Sequence, residues 1–247
     1  MSVAVQDSLL DFGDEPTPAA LRPERVPLSH GAWIDVQRGW LAGSAALFGR
    51  LVEAVPWKAE RRRMYDRTVD VPRLLRFYGA DEPLPDPALD ACRDALNAHY
   101  QAELGERFTT AGLCFYDEDA ALPDRALDAC RDALTAHYRA ELGEAFTTAG
   151  LCFYRDGRDS VAFHGDTIGR GSSEDTMVAI VSLGEARPLL LRPRQGGGGQ
   201  TLRYSLGHGD LIVMGGSCQR TWEHGVPKSA RPVGPRISVQ FRPRGVR

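Results

Sequence analysis

No stretch of this 247-residue chain stays apolar over the about 18 residues that a membrane-spanning helix needs, and VAIVSLG, residues 178–184, is typical of the longest runs. A helical membrane protein is therefore not expected. The amino-terminal MSVAVQDSLLDFGDEPTPAA carries acids where a secretory leader has a basic end and an apolar stretch. That leaves the cytoplasm as the expected location. Cysteine is sparse. The five thiols, Cys92, Cys114, Cys130, Cys152 and Cys218, form no C-x-x-C pair, and an odd number without a leader points to reduced thiols rather than a disulfide framework. The net charge of −3 is small but uneven: residues 155–247 carry +6 and residues 1–154 carry −9. A basic C-terminal half suits a phosphate-bearing partner, and equally a solvated arginine-rich surface. No obligate protein partner is evident.

Residues 1–25, acidic and holding three prolines, read as a flexible arm, and 26–247 as a single domain. Trp33 to Val36 has the content of a short strand. Ser44 is a candidate N-cap for a helix carrying Ala45, Leu47, Phe48, Leu51 and Val52. A basic stretch, Lys58 to Asp66, follows. The segment from Leu84 to Tyr116 then returns as Leu122 to Tyr154, 38 residues on, with only four of 33 positions changed: Pro87/Arg125, Asn97/Thr135, Gln101/Arg139 and Arg107/Ala145. Residues 79–116 thus duplicate 117–154. Each copy reads as helix then strand. Asp86 or Asp124 can cap the helix, and Leu89, Cys92, Leu96 and Tyr100 fall at helical spacing. FTTAGLCFY has the β-branched and aromatic content of a strand. Two near-identical units look like a tandem duplication rather than a solenoid, which needs at least three divergent repeats.

From Ser160 the chain becomes a series of short apolar runs punctuated by Gly, Pro and Ser: SVAFHGD, TMVAIVSLG, PLLLRPR, QTLRYSL, DLIVMGG, RTWEH and RISVQFR. Seven candidate strands with turns between them predict an antiparallel sandwich or barrel. RQGGGGQ, residues 194–200, reads as a flexible hairpin tip. In the first run, His164 and Asp166 are two residues apart, so a strand would point both side chains to one face. One imidazole and one carboxylate make two-thirds of the facial triad of non-heme iron(II) oxygenases; a plain His–Asp hydrogen bond at a strand end is the structural alternative. His224 also ends a candidate strand, and about four intervening strands can return it beside the pair. His99 and His137 are duplicate helix positions, His208 sits in a turn and His30 precedes a glycine. In RISVQFR, Arg236, Ser238, Gln240 and Arg242 share one face of a strand, and Ile237, Val239 and Phe241 the other. Two guanidinium forks match the two carboxylates of a small diacid. An edge strand with a solvated face fits the same pattern.

Taken together, H-x-D, a distant His and R-x-x-x-x-x-R resemble the AlkB family of 2-oxoglutarate-dependent nucleic-acid dealkylases. The likeness is strong over roughly 145–247, where FYRDGRDSVAFHGD and TWEHGVPKSARPVGPRISVQFR look much like bacterial members, and loose over 30–78. The resemblance implies an α+β fold with a double-stranded β-helix (jelly-roll) core and helices from the N-terminal half packed on one side. It implies Fe(II) held by His164, Asp166 and His224, with 2-oxoglutarate and O2 as co-substrates. Arg236 takes the distal carboxylate with help from the Tyr154 hydroxyl. Arg242 lies near the chelating carboxylate and Asp166. Two positions depart from the family pattern, which has asparagine where this chain has Cys152 and Ser238. The implied substrate is alkylated DNA or RNA. Its candidate holders are Tyr65 and Trp57 near Arg61, with Trp222 sharing the face of His224. Ile168 stands where some relatives carry an acid that reads the base. Only the second copy leads into the metal strand, so Tyr154 rather than Tyr116 is the expected co-substrate residue. A same-fold dioxygenase acting on a protein or small molecule, or a chain impaired by its duplication, are the alternatives.

Overall fold

The central strands are apolar at nearly every position, and a strand of that kind must be covered on both faces. The computed structural model, which describes residues 15–64, 67–77, 125–143, 146–194, 200–243 and 246, shows what covers them. Strands β1 (Thr17–Pro18), β2 (Glu24–Pro27), β3 (Ala32–Gln37) and β4 (Leu41–Ala42) precede helix α1 (Ser44–Ala54). Then come β5 (Lys58–Met64), β6 (Arg67–Phe77), helix α2 (Arg125–Leu142) and β7 (Phe146–Tyr154). The C-terminal part holds β8 (Val161–His164), β9 (Val178–Gly184), β10 (Arg187–Pro193), β11 (Leu202–Leu206), β12 (Leu211–Gly216), the short helix α3 (Cys218–Thr221), β13 (Trp222–Val226) and β14 (Arg236–Pro243). All seven expected strands are present. The first copy of the duplication, with its helix and Tyr116, lies outside the described residues, as does Tyr65.

Two antiparallel sheets form the body. The larger runs β2-β3-β12-β9-β14-β7-β6-β5 and the smaller β11-β10-β13-β8. Side-chain alternation sorts each central strand between two apolar layers. Ala179, Val181 and Leu183 of β9 join Leu211 and Val213 of β12 and Ile237, Val239 and Phe241 of β14 against the helices. Val178, Ile180, Ile212 and Met214 face the other way, where Leu189, Leu191, Leu206 and Val226 of the smaller sheet meet them. The order is helices, large sheet, small sheet.

The second copy of the duplication supplies a helix and a strand to this body. Leu127, Cys130, Leu134 and Tyr138, the counterparts of the four helically spaced residues of the first copy, are all fully buried. The Tyr138 hydroxyl donates to Asp35 Oδ2 at 2.7 Å. Arg25 grips the same carboxylate with Nε and Nη2, both at 2.8 Å, and reaches Glu141 through Nη1 at 2.6 Å. Burial and the Asp35 charge push the Tyr138 phenol far up, so it stays a donor. This network bolts α2 to β2 and β3.

Two sequence expectations need adjustment. Thr17–Pro18 pairs with Leu41–Ala42 and Glu24–Pro27 with β3, so from Thr17 on the supposed arm is anchored to the fold at two points. Helix α1 begins at Ser44 itself, and the capping position falls on Gly43, whose φ of 63° suits glycine.

Candidate active site

The smaller sheet makes the site. β8 and β13 pair antiparallel, with His164 directly opposite His224. Their rings lie 4.4 Å apart between centroids. Strand β8 ends at His164, so Asp166 is carried by the turn beyond it rather than by strand alternation. That turn is set from outside: the Asp166 backbone N–H donates to Gln219 Oε1 at 2.9 Å, and Gln219 belongs to α3, immediately before β13. Gly165 is required there, because a Cβ at that position would sit 2.2 Å from the Gln219 carbonyl oxygen. One ligand atom from each of His164, Asp166 and His224 lies within 4.8 Å of the other two. His164 Nδ1 contacts the Ala162 carbonyl at 2.8 Å, which leaves Nε2 for a metal. Asp166 and His224 are buried, while His164 is half-exposed and keeps one side of the cluster open.

Electrostatics suit a cation at this point. Burial alone would push the Asp166 carboxyl up. Arg242, whose Nε donates to Asp166 Oδ2 at 2.5 Å, and the two imidazoles outweigh burial and hold it well below the usual carboxylate range. Burial and the neighbouring His164 push His224 down to about 3, so its ring is neutral and available as a ligand.

The arginine strand is not an edge. β14 lies between β7 and β9, and its polar face looks into the space between the sheets. Arg236, Ser238 and Arg242 are therefore buried, which removes the solvated-face alternative. Register sets Arg236 opposite Tyr154 and Ser238 opposite Cys152. Arg236 Nε donates to Ser182 Oγ at 2.8 Å, and the Tyr154 phenol hydrogen-bonds the same guanidinium. Its Nη1 is buried without an acceptor among the described residues. A buried guanidinium with an unsatisfied donor is costly unless a ligand oxygen completes it. Gln240 bridges the row: Nε2 reaches Ser238 Oγ at 3.4 Å and Cys152 Sγ at 3.5 Å, and Oε1 accepts from Arg242 Nη2 at 2.6 Å. Burial pushes the Tyr154 phenol up to about 12, so its proton is kept.

The expected substrate residues are not all gathered here. Trp57 packs on Phe153 at 5.1 Å, with its indole N–H on the Leu51 carbonyl. It thus sits in the helix-side layer, on the opposite face of β7 from Tyr154. Its aromatic bulk serves the core, which corrects the reading of Trp57 as a base holder. Arg61 is exposed on β5, the edge strand of the large sheet. Trp222 is buried between the sheets with the layer that holds Tyr154. Sequence reasoning missed Gln219, Ser182 and Arg187 and gave Gln240 no role. Only strand alternation pointed to Gln240; the other three are recognisable by contact alone.

Two imidazoles and one carboxylate on one face of an otherwise open position define the mononuclear non-heme iron(II) class. The chain belongs to the 2OG-Fe(II) oxygenase superfamily, whose sequence profile matches residues 44–242. Membership implies iron(II), 2-oxoglutarate and O2, and His164, Asp166 and His224 are the possible iron site. The chain is also similar to curated proteins. It is 35% identical over 91 residues to an uncharacterized protein of Acanthamoeba polyphaga mimivirus, covering 36% of this chain and 46% of that one. It is 33% identical over 98 residues to the human alpha-ketoglutarate-dependent dioxygenase alkB homolog 3, covering 36% and 33%. Against the DNA oxidative demethylase ALKBH2 of Arabidopsis thaliana the identity is 39% over 59 residues, 24% and 19% of the two chains. The matched stretch thus spans less than half the length of each of these relatives. Among the described residues, no helix is long and apolar enough to cross a membrane.

Proposed function

We propose that this chain is an Fe(II)/2-oxoglutarate-dependent dioxygenase that oxidatively removes N-alkyl groups from damaged nucleic-acid bases. The two sheets are read as a jelly-roll core, and residues 26–247 as one dioxygenase domain working in the cytoplasm. The observation that carries the reading is the pairing of a His-Asp-His cluster with a buried Arg236 whose Nη1 has no acceptor among the described residues. Likeness to proteins named as DNA demethylases and the basic C-terminal half support the nucleic-acid substrate.

The bound iron, with 2-oxoglutarate and O2, supplies the oxidising power: the co-substrate leaves as succinate and CO2, and the hydroxylated alkyl group leaves as an aldehyde. The chain orients these partners. His164 Nε2, His224 and the Asp166 carboxylate supply the ligands. Arg242 keeps Asp166 ionised and would attract the co-substrate carboxylate nearer the metal ligands. Arg236 forks the distal carboxylate, and the protonated Tyr154 hydroxyl donates beside it. Ser238 and Cys152 replace amides here; a hydroxyl still donates, whereas a thiol does so only weakly, and Gln240 supplies the nearest amide. A base in a duplex must leave the stack to reach such a site. Arg61 and Tyr65 remain candidate contacts for it, and exposed Ile168, beside Asp166, offers apolar contact in place of an acid.

Mass spectrometry of methylated DNA and RNA oligonucleotides after incubation with iron, 2-oxoglutarate and ascorbate tests the proposal. The expected result is loss of one methyl group, abolished in His164→Ala. Succinate formation without demethylation of any oligonucleotide would move the substrate to a protein or small molecule. Absence of succinate under anaerobically reconstituted iron would mean a catalytically impaired chain.

A further inference from the structure

Arg187 opens β10 at a position where alternation calls for an apolar residue. Its strand neighbours on the same face, Leu189 and Leu191, belong to the layer between the sheets, and Arg187 is as buried as they are, at 1% exposure. Among the described residues no carboxylate is in salt-bridge contact with it, and the Asp159 and Asp156 charges act on it only from a distance. Its guanidinium is solvated by backbone instead: Nη1 donates to the Asp156 carbonyl at 3.0 Å, and Nη2 to the carbonyls of Asp159 at 3.0 Å and Pro227 at 2.8 Å. Nε has no partner.

Those carbonyls belong to two loops. Residues 155–159 join Tyr154 to the strand of His164, and Pro227 follows directly on the strand of His224. The loops already touch, since the Ser229 N–H donates to the Gly157 carbonyl at 2.7 Å. Arg187 therefore ties the exit of the co-substrate strand to the exit of a metal strand. It is also the second cation behind Tyr154. Its Cζ lies 5.8 Å from the Tyr154 ring centre, and that of Arg236 lies 5.4 Å from it, so the two guanidinium carbons are at most about 11 Å apart. Two buried cations in one apolar layer repel each other, and an anion between or beside them relieves both. Burying an unpaired charge is expensive, and a ligand that is itself a dianion is what offsets it.

We infer that Arg187 is a positioning residue for the co-substrate: it fixes the Tyr154 exit loop and adds a second, non-contacting positive charge to the distal-carboxylate site. This rests on the dioxygenase reading above. A unit charge on the order of 10 Å away at an effective dielectric constant near 20 changes carboxylate affinity on the order of tenfold.

The test is calorimetric binding of 2-oxoglutarate, and of its distal methyl ester, to the Mn(II)-loaded full-length protein. Arg187→Met is expected to weaken 2-oxoglutarate about tenfold and leave the ester, which lacks the distal charge, within about twofold of its wild-type affinity. Arg187→Lys, which retains the cation, is expected to recover most of the loss. Leu189→Ala, a cavity on the same face, sets the effect of packing damage alone. Equal weakening of both ligands by Arg187→Met, or a loss no larger than in Leu189→Ala, overturns the inference. If Arg187→Met does not fold, Arg187→Gln carries the same comparison. Wild-type protein that binds Mn(II) but not 2-oxoglutarate would sink the dioxygenase reading, and this inference with it; binding unaltered in the variants would sink this inference alone.

Discussion

The tightest spot in the site is the glycine between two metal ligands, and Gly165→Ala probes it. The added Cβ would sit 2.2 Å from the Gln219 carbonyl oxygen and 2.6 Å from Arg194 Nη2. The arginine can swing away; the carbonyl is backbone and cannot. An ordinary contact of about 3.2 Å or more requires the Asp166 turn and α3 to separate by about 1 Å, a strain in the range of overpacked cores, about 1–3 kcal/mol. For a chain of this size that is a drop in Tm of roughly 2–4 °C per kcal/mol. The same separation stretches the Asp166 N–H to Gln219 bond and moves Asp166 relative to His224, which follows Gln219 by one short element. Loss of such outer-shell support commonly weakens metal binding about 10–100-fold. Differential scanning fluorimetry of the metal-free protein and a Co(II) titration followed by absorbance measure the two effects. The control is Gly49→Ala inside α1, where an added Cβ meets nothing within 4 Å; it is expected to stabilise by about 0.5–1 kcal/mol. A Gly165→Ala protein with wild-type Co(II) affinity would refute the claim that contact between this turn and α3 sets the ligand geometry.

Two further predictions concern Tyr154 and the buried thiols. Tyr154→Phe removes the buried hydroxyl proposed to donate to the co-substrate and is expected to raise the KM for 2-oxoglutarate about tenfold or more, whereas Tyr116→Phe leaves it unchanged; equal effects in steady-state assays would mean that the first copy shares the slot. Burial pushes the Cys218 thiol up to about 12, so it is protonated at every pH below that value. Iodoacetamide at pH 8 should therefore leave Cys218 unmodified in the native protein and label it in urea, read by peptide mass spectrometry; native labelling at the unfolded rate would contradict the buried placement.

The strand periodicities of the C-terminal half were enough to lay out its seven strands, because a strand buried on one or both faces must show it in sequence. The helical spacing of Leu127, Cys130, Leu134 and Tyr138 was equally legible. The metal trio was legible as residue types, but for a partly mistaken reason: Asp166 is aimed by Gln219 from another element and not by β8. Sequence could not tell a solvated Arg236/Arg242 face from a buried one, since alternation names a face without saying what covers it. The same limit made Trp57 look like a base holder, when its side of β7 is the helix side. Nor could it single out Arg187, a cation at a core position whose hydrogen bonds, among the described residues, all go to backbone carbonyls of two loops.

Sequence alone determined which residue types meet along each strand, and that of the two H-G-D triplets, 164–166 and 208–210, only the first follows the strand ending at Tyr154. Tertiary structure decided which faces turn inward. The β8–β13 register set His164 against His224, and the central place of β14 buried its arginines, Arg242 against Asp166 and Arg236 with one donor that has no acceptor among the described residues.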